Sequence, residues 1–78
     1  MHMQFIEMPG VVLFRLVEED GGPSRPELEQ VGVHEESIVR INRQGDIELR
    51  KPNGWDLIGG LLGDFEARVR DATGLDWL

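Results

Sequence analysis

The sequence predicts a small two-layer α+β domain, an antiparallel β-meander of about four or five strands packed against one C-terminal helix. Three observations predict it. Two short loops, Arg43-Gln44-Gly45 and Pro52-Asn53-Gly54, each have the composition of a type I turn closed by a left-handed glycine. The segments around them are rich in β-branched and apolar residues at alternate positions. Beyond them Leu61, Leu62, Phe65, Val69 and Ala72 recur at helical spacing and stop short of Gly74.

Along the chain, residues 3–6 are a short apolar stretch before Met8-Pro9-Gly10, where Pro-Gly marks a turn. Residues 11–17, Val-Val-Leu-Phe-Arg-Leu-Val, are apolar on both faces and are expected to form a central strand. The polar Gly/Pro-rich run from Glu18 to Pro26 ends that strand as a loop. Ser24 followed by Glu27 has the spacing of a capping box, with Pro26 inside a single helical turn that reaches Gln30.

The two glycine loops then set the meander's register. In the first hairpin Ile41 is expected to face Ile47, Val39 to face Leu49 and Arg40 to face Glu48. In the second, Leu49 is expected opposite Leu57, Arg50 opposite Asp56 and Lys51 opposite Trp55. Every apolar pair then falls on one side, with Ile38 and Ile58 the exceptions on the polar side. The opposite-charge cross-strand pairs on that polar side contribute roughly 0.2–1 kcal/mol each. The strand is expected to run through Ile58 and break at Gly59-Gly60. A helix follows over about residues 60–73, capped by Gly74, with Leu75 folding back and Asp76-Trp77-Leu78 docking as an apolar tail.

Composition narrows function more by exclusion than by assignment. Seventy-eight residues make a single domain, and a chain this short buries only about 60% of its unfolded surface. There is no cysteine, so neither a disulfide nor a thiolate ligand or nucleophile is available. That fits a reducing, cytoplasmic setting, and no apolar run approaches a membrane span. No basic region leads into an apolar core at the N-terminus, so no signal peptide is expected. The net charge of −7 repels phosphate backbones and argues against a general nucleic-acid binder.

Chemistry-bearing constellations are sparse. His34-Glu35-Glu36 is the densest group of metal-ligating types, but neighbouring residues in an extended segment point apart, and a solvated turn is the simpler reading. The carboxylates of Glu18, Glu19 and Asp20 sit in a glycine-rich loop. The side-chain hydroxyls are Ser24, Ser37 and Thr73, with no partner spacing that suggests nucleophilic catalysis. Gly59-Gly60-Leu61-Leu62-Gly63 lacks the lysine and hydroxyl of a phosphate loop. No catalytic, cofactor or metal site is expected.

Residues 38–49 resemble the hairpin of AbrB-like transcription factors over about a dozen residues, without that family's continuation, so no membership follows. Of the hairpin cations, Arg40 and Arg50 have carboxylates opposite in the expected register. Arg43 at the tip and Lys51 remain as a small basic patch for nucleic acid or an acidic surface. Trp55, Trp77 and Leu78 are the remaining candidates, as core residues or as interface anchors. An apolar strand covered by one helix on one face leaves the other face in want of a partner. The expectation is therefore a non-enzymatic protein-interaction or assembly module, a homodimer or a small subunit of a larger assembly, with a regulatory or nucleic-acid binder using the Arg43 tip as the alternative.

Overall fold

The computed structural model describes residues 4–19 and 22–77. The order of elements is β1 (Phe5–Pro9), α1 (Gly10–Glu18), α2 (Arg25–Gln30), β2 (Ile38–Asn42), β3 (Asp46–Lys51), β4 (Gly54–Gly60) and α3 (Phe65–Thr73). The four strands form one antiparallel sheet in the order β1-β2-β3-β4. The α+β class stands, and its helical layer holds α1 and α2 as well as the C-terminal helix.

The largest departure is at residues 11–17, which form helix α1 and not a central strand. An unbroken apolar run has no distinguishing period, because every face of it is apolar. The positions that end up buried, Gly10, Leu13, Phe14 and Val17 with Leu16 beside them, follow helical spacing, and Arg15 is left exposed. Pro9-Gly10 is not a free turn either. Pro9 closes β1, and Gly10 opens α1 directly.

Pro9 offers no side-chain cap, so the first amides of α1 need partners from elsewhere. The loop before β2 supplies them. The Gly10 amide donates to the Ser37 carbonyl at 2.8 Å, and the Val11 amide donates to the Glu35 carbonyl at 3.0 Å. This docking brings the His34 carbonyl so close that a Cβ on residue 10 would lie 1.9 Å from its oxygen.

The Ser24 capping box is present in full, with the Ser24 hydroxyl accepting from the Glu27 amide and the Glu27 carboxylate accepting from the Ser24 amide. Helix α2 buries Leu28.

The first hairpin has the expected register, with Val39 opposite Leu49, Arg40 opposite Glu48 and Ile41 opposite Ile47. The Asn42 side chain pins its loop: Oδ1 accepts from the Gln44 and Asp46 amides, each at 2.9 Å, and Nδ2 donates to Asp46 at 3.0 Å. Gly45 takes φ of +90° at the loop's end.

The second hairpin differs. Gly54 has positive φ, yet it sits in the ladder opposite Lys51, which shortens the loop to Pro52-Asn53. Arg50 therefore faces Trp55, Leu49 faces Asp56 and Glu48 faces Leu57. A bulge at Ile58 restores the expected alignment, placing Ile47 opposite Gly59 and Asp46 opposite Gly60. The strand continues through both glycines, and α3 begins only at Phe65. Leu61 is buried between the two elements, Leu62 is exposed, and Ala72 is exposed on α3.

The core lies between the sheet and the helices. It is built from Ile6 and Met8 of β1, Leu13, Phe14, Leu16 and Val17 of α1, the inward residues of β2 and β3, and Val69 of α3. Gly74 caps α3 in the left-handed conformation, as its position predicts. Leu75 stays 40% exposed and does not fold back into the core. Trp77 does, at 1% exposure. Its indole N–H donates to the Ile41 carbonyl at 2.9 Å, and its ring meets Phe65 edge-on at 6.0 Å.

Candidate interaction surface

The shortened second loop decides what the sheet's outer face carries. Phe5, Ile38, Arg40, Glu48, Trp55 and Leu57 all project to the side away from the core. At its centre the Arg40 guanidinium carbon lies 3.7 Å from the Phe5 ring centroid and 4.1 Å from that of Trp55. The same side chain forms an ion pair with Glu48, and both partners keep 23% side-chain exposure. An arginine whose planar group lies against two rings while a carboxylate meets its edge is satisfied in charge and in stacking.

Around this group the face is open. Ile38 is 41% exposed and Leu57 64%. The helices all contribute to the core on the other side, and among the described residues no element lies across this face. Glu7, Arg40, Asp46, Glu48 and Arg50 are its charged residues, two cationic and three anionic. The face is thus close to neutral, although the chain carries −7.

The candidates from sequence separate. Trp55 lies on the open face. Trp77 does not: it is a core residue, because the short extended tail after Gly74 is long enough to bring its indole under β2. Leu78 falls outside the described residues. Lys51 is not an unpaired cation, since the two-residue loop brings its amine within 2.9 Å of Asp56. Arg50, expected opposite Asp56, has Trp55 opposite instead. Arg43 is exposed at the tip of the first hairpin. The apolar excess expected of residues 11–17 is absorbed by helix packing, so it no longer calls for a partner. Sequence reasoning placed Arg40 on this side opposite Glu48, as found, and missed Phe5 and Leu57 as surface-defining residues. The signal available was the Pro52-Asn53 dipeptide, which also suits a two-residue loop.

The other constellations have structural occupations. The Ser24 hydroxyl caps α2, the Ser37 hydroxyl accepts from the His34 amide at 2.8 Å, and the Thr73 hydroxyl donates to the Val69 carbonyl at 2.7 Å. His34, Glu35 and Glu36 line an open groove of about 600 Å³ with Phe14, Arg25 and Glu29. There the Arg25 guanidinium carbon sits 4.2 Å from the Phe14 ring centroid and pairs with Glu29 at 3.6 Å. Among the described residues no three metal-ligating side chains converge, and no polar or charged residue is buried. Asp76 holds the C-terminal tail: it accepts from Arg70 at 2.8 Å and from the Trp77 amide at 2.7 Å. Those bonds, the Arg70 one first, hold its carboxyl below the usual aspartate value.

No protein-family model, curated protein or solved structure matches this chain.

Proposed function

We propose that the chain is a non-enzymatic interaction module that self-associates, a homodimeric unit or a repeated small subunit, through its β-sheet. One observation carries it: among the described residues, three helices and a buried tail occupy one side of the sheet, while no layer covers the other side, which exposes Leu57 and Ile38. A four-stranded sheet with one face solvated is stable as such, so Leu57, the more exposed of the two, is what calls for a partner.

Charge favours a second copy over a foreign partner. A basic partner would be drawn to the strongly acidic remainder of the chain, not to a face whose charges nearly cancel. Two copies meeting along the sheet bring together surfaces with little repulsion.

The nucleic-acid or regulatory alternative at the Arg43 tip has weaker support. Lys51 is neutralised by Asp56, and the Phe5 and Trp55 rings that could stack a base already stack on Arg40. Catalysis also has weaker support: among the described residues no polar or charged residue is buried and no three metal-ligating side chains converge.

Sedimentation equilibrium tests the proposal. Self-association appears as a mass that rises from one chain toward two over about 1–200 µM, the range of a modest interface. A chain that stays monomeric throughout that range would remove the proposed function.

A further inference from the structure

We infer that the protein forms a two-fold dimer in which the outer edge of β4 pairs antiparallel with β4 of a second copy, near Leu57, so that one sheet runs through both chains. The inference rests on the self-association proposed above and adds how the copies meet.

The two edges of the sheet are unlike. β1 has five residues, carries Glu7 and ends in Pro9, which has no amide to donate. β4 has seven residues, Gly-Trp-Asp-Leu-Ile-Gly-Gly, with no proline and no lysine among them. Folded proteins usually guard a long edge with such residues, because its unpaired amides and carbonyls recruit another strand. Among the described residues no backbone group bonds to the outer edge of β4.

The side chains along this edge are suited to pairing. Leu57, the most exposed large hydrophobic residue described, lies at the midpoint of β4. Gly54 leaves one end open to the approach of another backbone, while at the other end the Pro23 ring packs against Gly59. The one charge on the strand, Asp56, is already neutralised by Lys51. A chain of net charge −7 therefore presents an edge without a net charge of its own.

Packing the outer faces together is the competing arrangement, and the centre of that face opposes it. Arg40 and Glu48 would have to lose the water they still reach, and desolvating an ion pair can cost more than the new contacts return. Edge pairing leaves them wet. It brings Leu57 of each copy beside that of the other and satisfies the free backbone groups of both strands.

Sedimentation equilibrium on the full chain, on Leu57→Lys and on Ile38→Lys tests the geometry, with circular dichroism confirming that each variant is folded. Both positions are exposed, Leu57 on the edge strand and Ile38 on interior strand β2. Edge pairing predicts that Leu57→Lys raises the dimer dissociation constant by about tenfold or more, while Ile38→Lys changes it by less than about threefold. Equal loss in both variants, loss in Ile38→Lys alone, or loss in neither would overturn edge pairing while leaving self-association standing. A wild-type monomer would overturn both. Amide exchange on the wild-type chain reads the same point without a substitution: β4 amides slow as concentration rises if the edge is paired, and exchange at an unchanged rate overturns the pairing.

Discussion

Replacing Gly10 with alanine should destabilise this protein, although the same change inside a helix ordinarily stabilises it by about 1 kcal/mol. Gly10 opens α1, and its φ is not in the left-handed region, so backbone conformation gives no objection to a side chain. The objection is space. A Cβ there would sit 1.9 Å from the His34 carbonyl oxygen and 3.0 Å from its carbonyl carbon, both backbone atoms. The loop at residues 33–37 must retreat by more than 1 Å to reach ordinary contact, which is about 3 Å or more for carbon against oxygen. Its retreat stretches the Gly10 amide bond to Ser37 and the Val11 amide bond to Glu35. Two such bonds are worth about 1 kcal/mol each, and overpacking adds about 1–3 kcal/mol. After the gain in helix propensity, a net loss of about 2–4 kcal/mol remains. A domain of 78 residues has about 4–12 kcal/mol in total, so the effect is large. Thermal melting followed by circular dichroism should show Gly10→Ala lower by about 8–32 °C, at roughly 4–8 °C per kcal/mol. A variant that melts at or above the wild-type temperature would refute the loop–helix junction described here.

Three further outcomes follow from named contacts. Trp77→Phe removes the N–H that bonds the Ile41 carbonyl and shrinks a fully buried ring, so urea unfolding should show a loss of about 1–3 kcal/mol, against about 3–5 kcal/mol for Trp77→Ala. If Trp77→Ala costs less than about 1 kcal/mol, the tail is not docked as described. Arg40→Lys keeps the charge beside Glu48 but loses the planar stack between Phe5 and Trp55, so chemical denaturation should register a loss of about 1 kcal/mol with a red shift in Trp55 emission; an unshifted spectrum argues against the stack. Asp76 has a native pKa lowered by Arg70 and by the Trp77 amide, from an ordinary value of 3.8. Its contribution is therefore present above that value and lost as pH falls through the lower native one. The stability difference between wild type and Asp76→Asn should be constant near neutrality and shrink below about pH 4, and a difference independent of pH down to about 2 would contradict it.

What the sequence made legible follows the strength of its local signals. The first hairpin was readable because Asn42, Gly45 and the alternating isoleucines all specify one register, and the Asn42 side chain locks the loop independently of packing. Ser24-Arg25-Pro26-Glu27 and Gly74 were readable for the same reason: capping is chemistry between neighbours in sequence. Residues 11–17 were not, because β-branched content favours a strand while the competing helix is selected by burial against β1 and α3. Trp77 was ambiguous between core and interface, since only the tertiary path of the tail places its indole beneath Ile41. Arg40 was read as one partner of a cross-strand ion pair, and that pair exists. Its two aromatic neighbours come from strands that the local pattern does not join.

The surface itself turns on one residue of loop length. Lys51-Pro52-Asn53-Gly54 has proline at the second position and glycine at the fourth, the preferences of a type I turn. That turn is compatible both with a three-residue loop that ejects Gly54 into a bulge and with a two-residue loop that keeps Gly54 in the ladder. The first option buries Leu57 and exposes Asp56 among the other charges. The second turns Leu57 to solvent and sets Trp55 against Arg40. A strand's side chains alternate, so no intermediate arrangement exists. Two features favour the second. Trp55 gains a guanidinium to cover, and Asp56 reaches Lys51 across the strand. The cost is a bulge at Ile58, where the ladder must regain the alignment that lets Ile58 pack on the core. A local compromise in strand β4 thus leaves a leucine exposed at the middle of an edge that carries neither proline nor lysine, and a second strand laid along that edge would cover it.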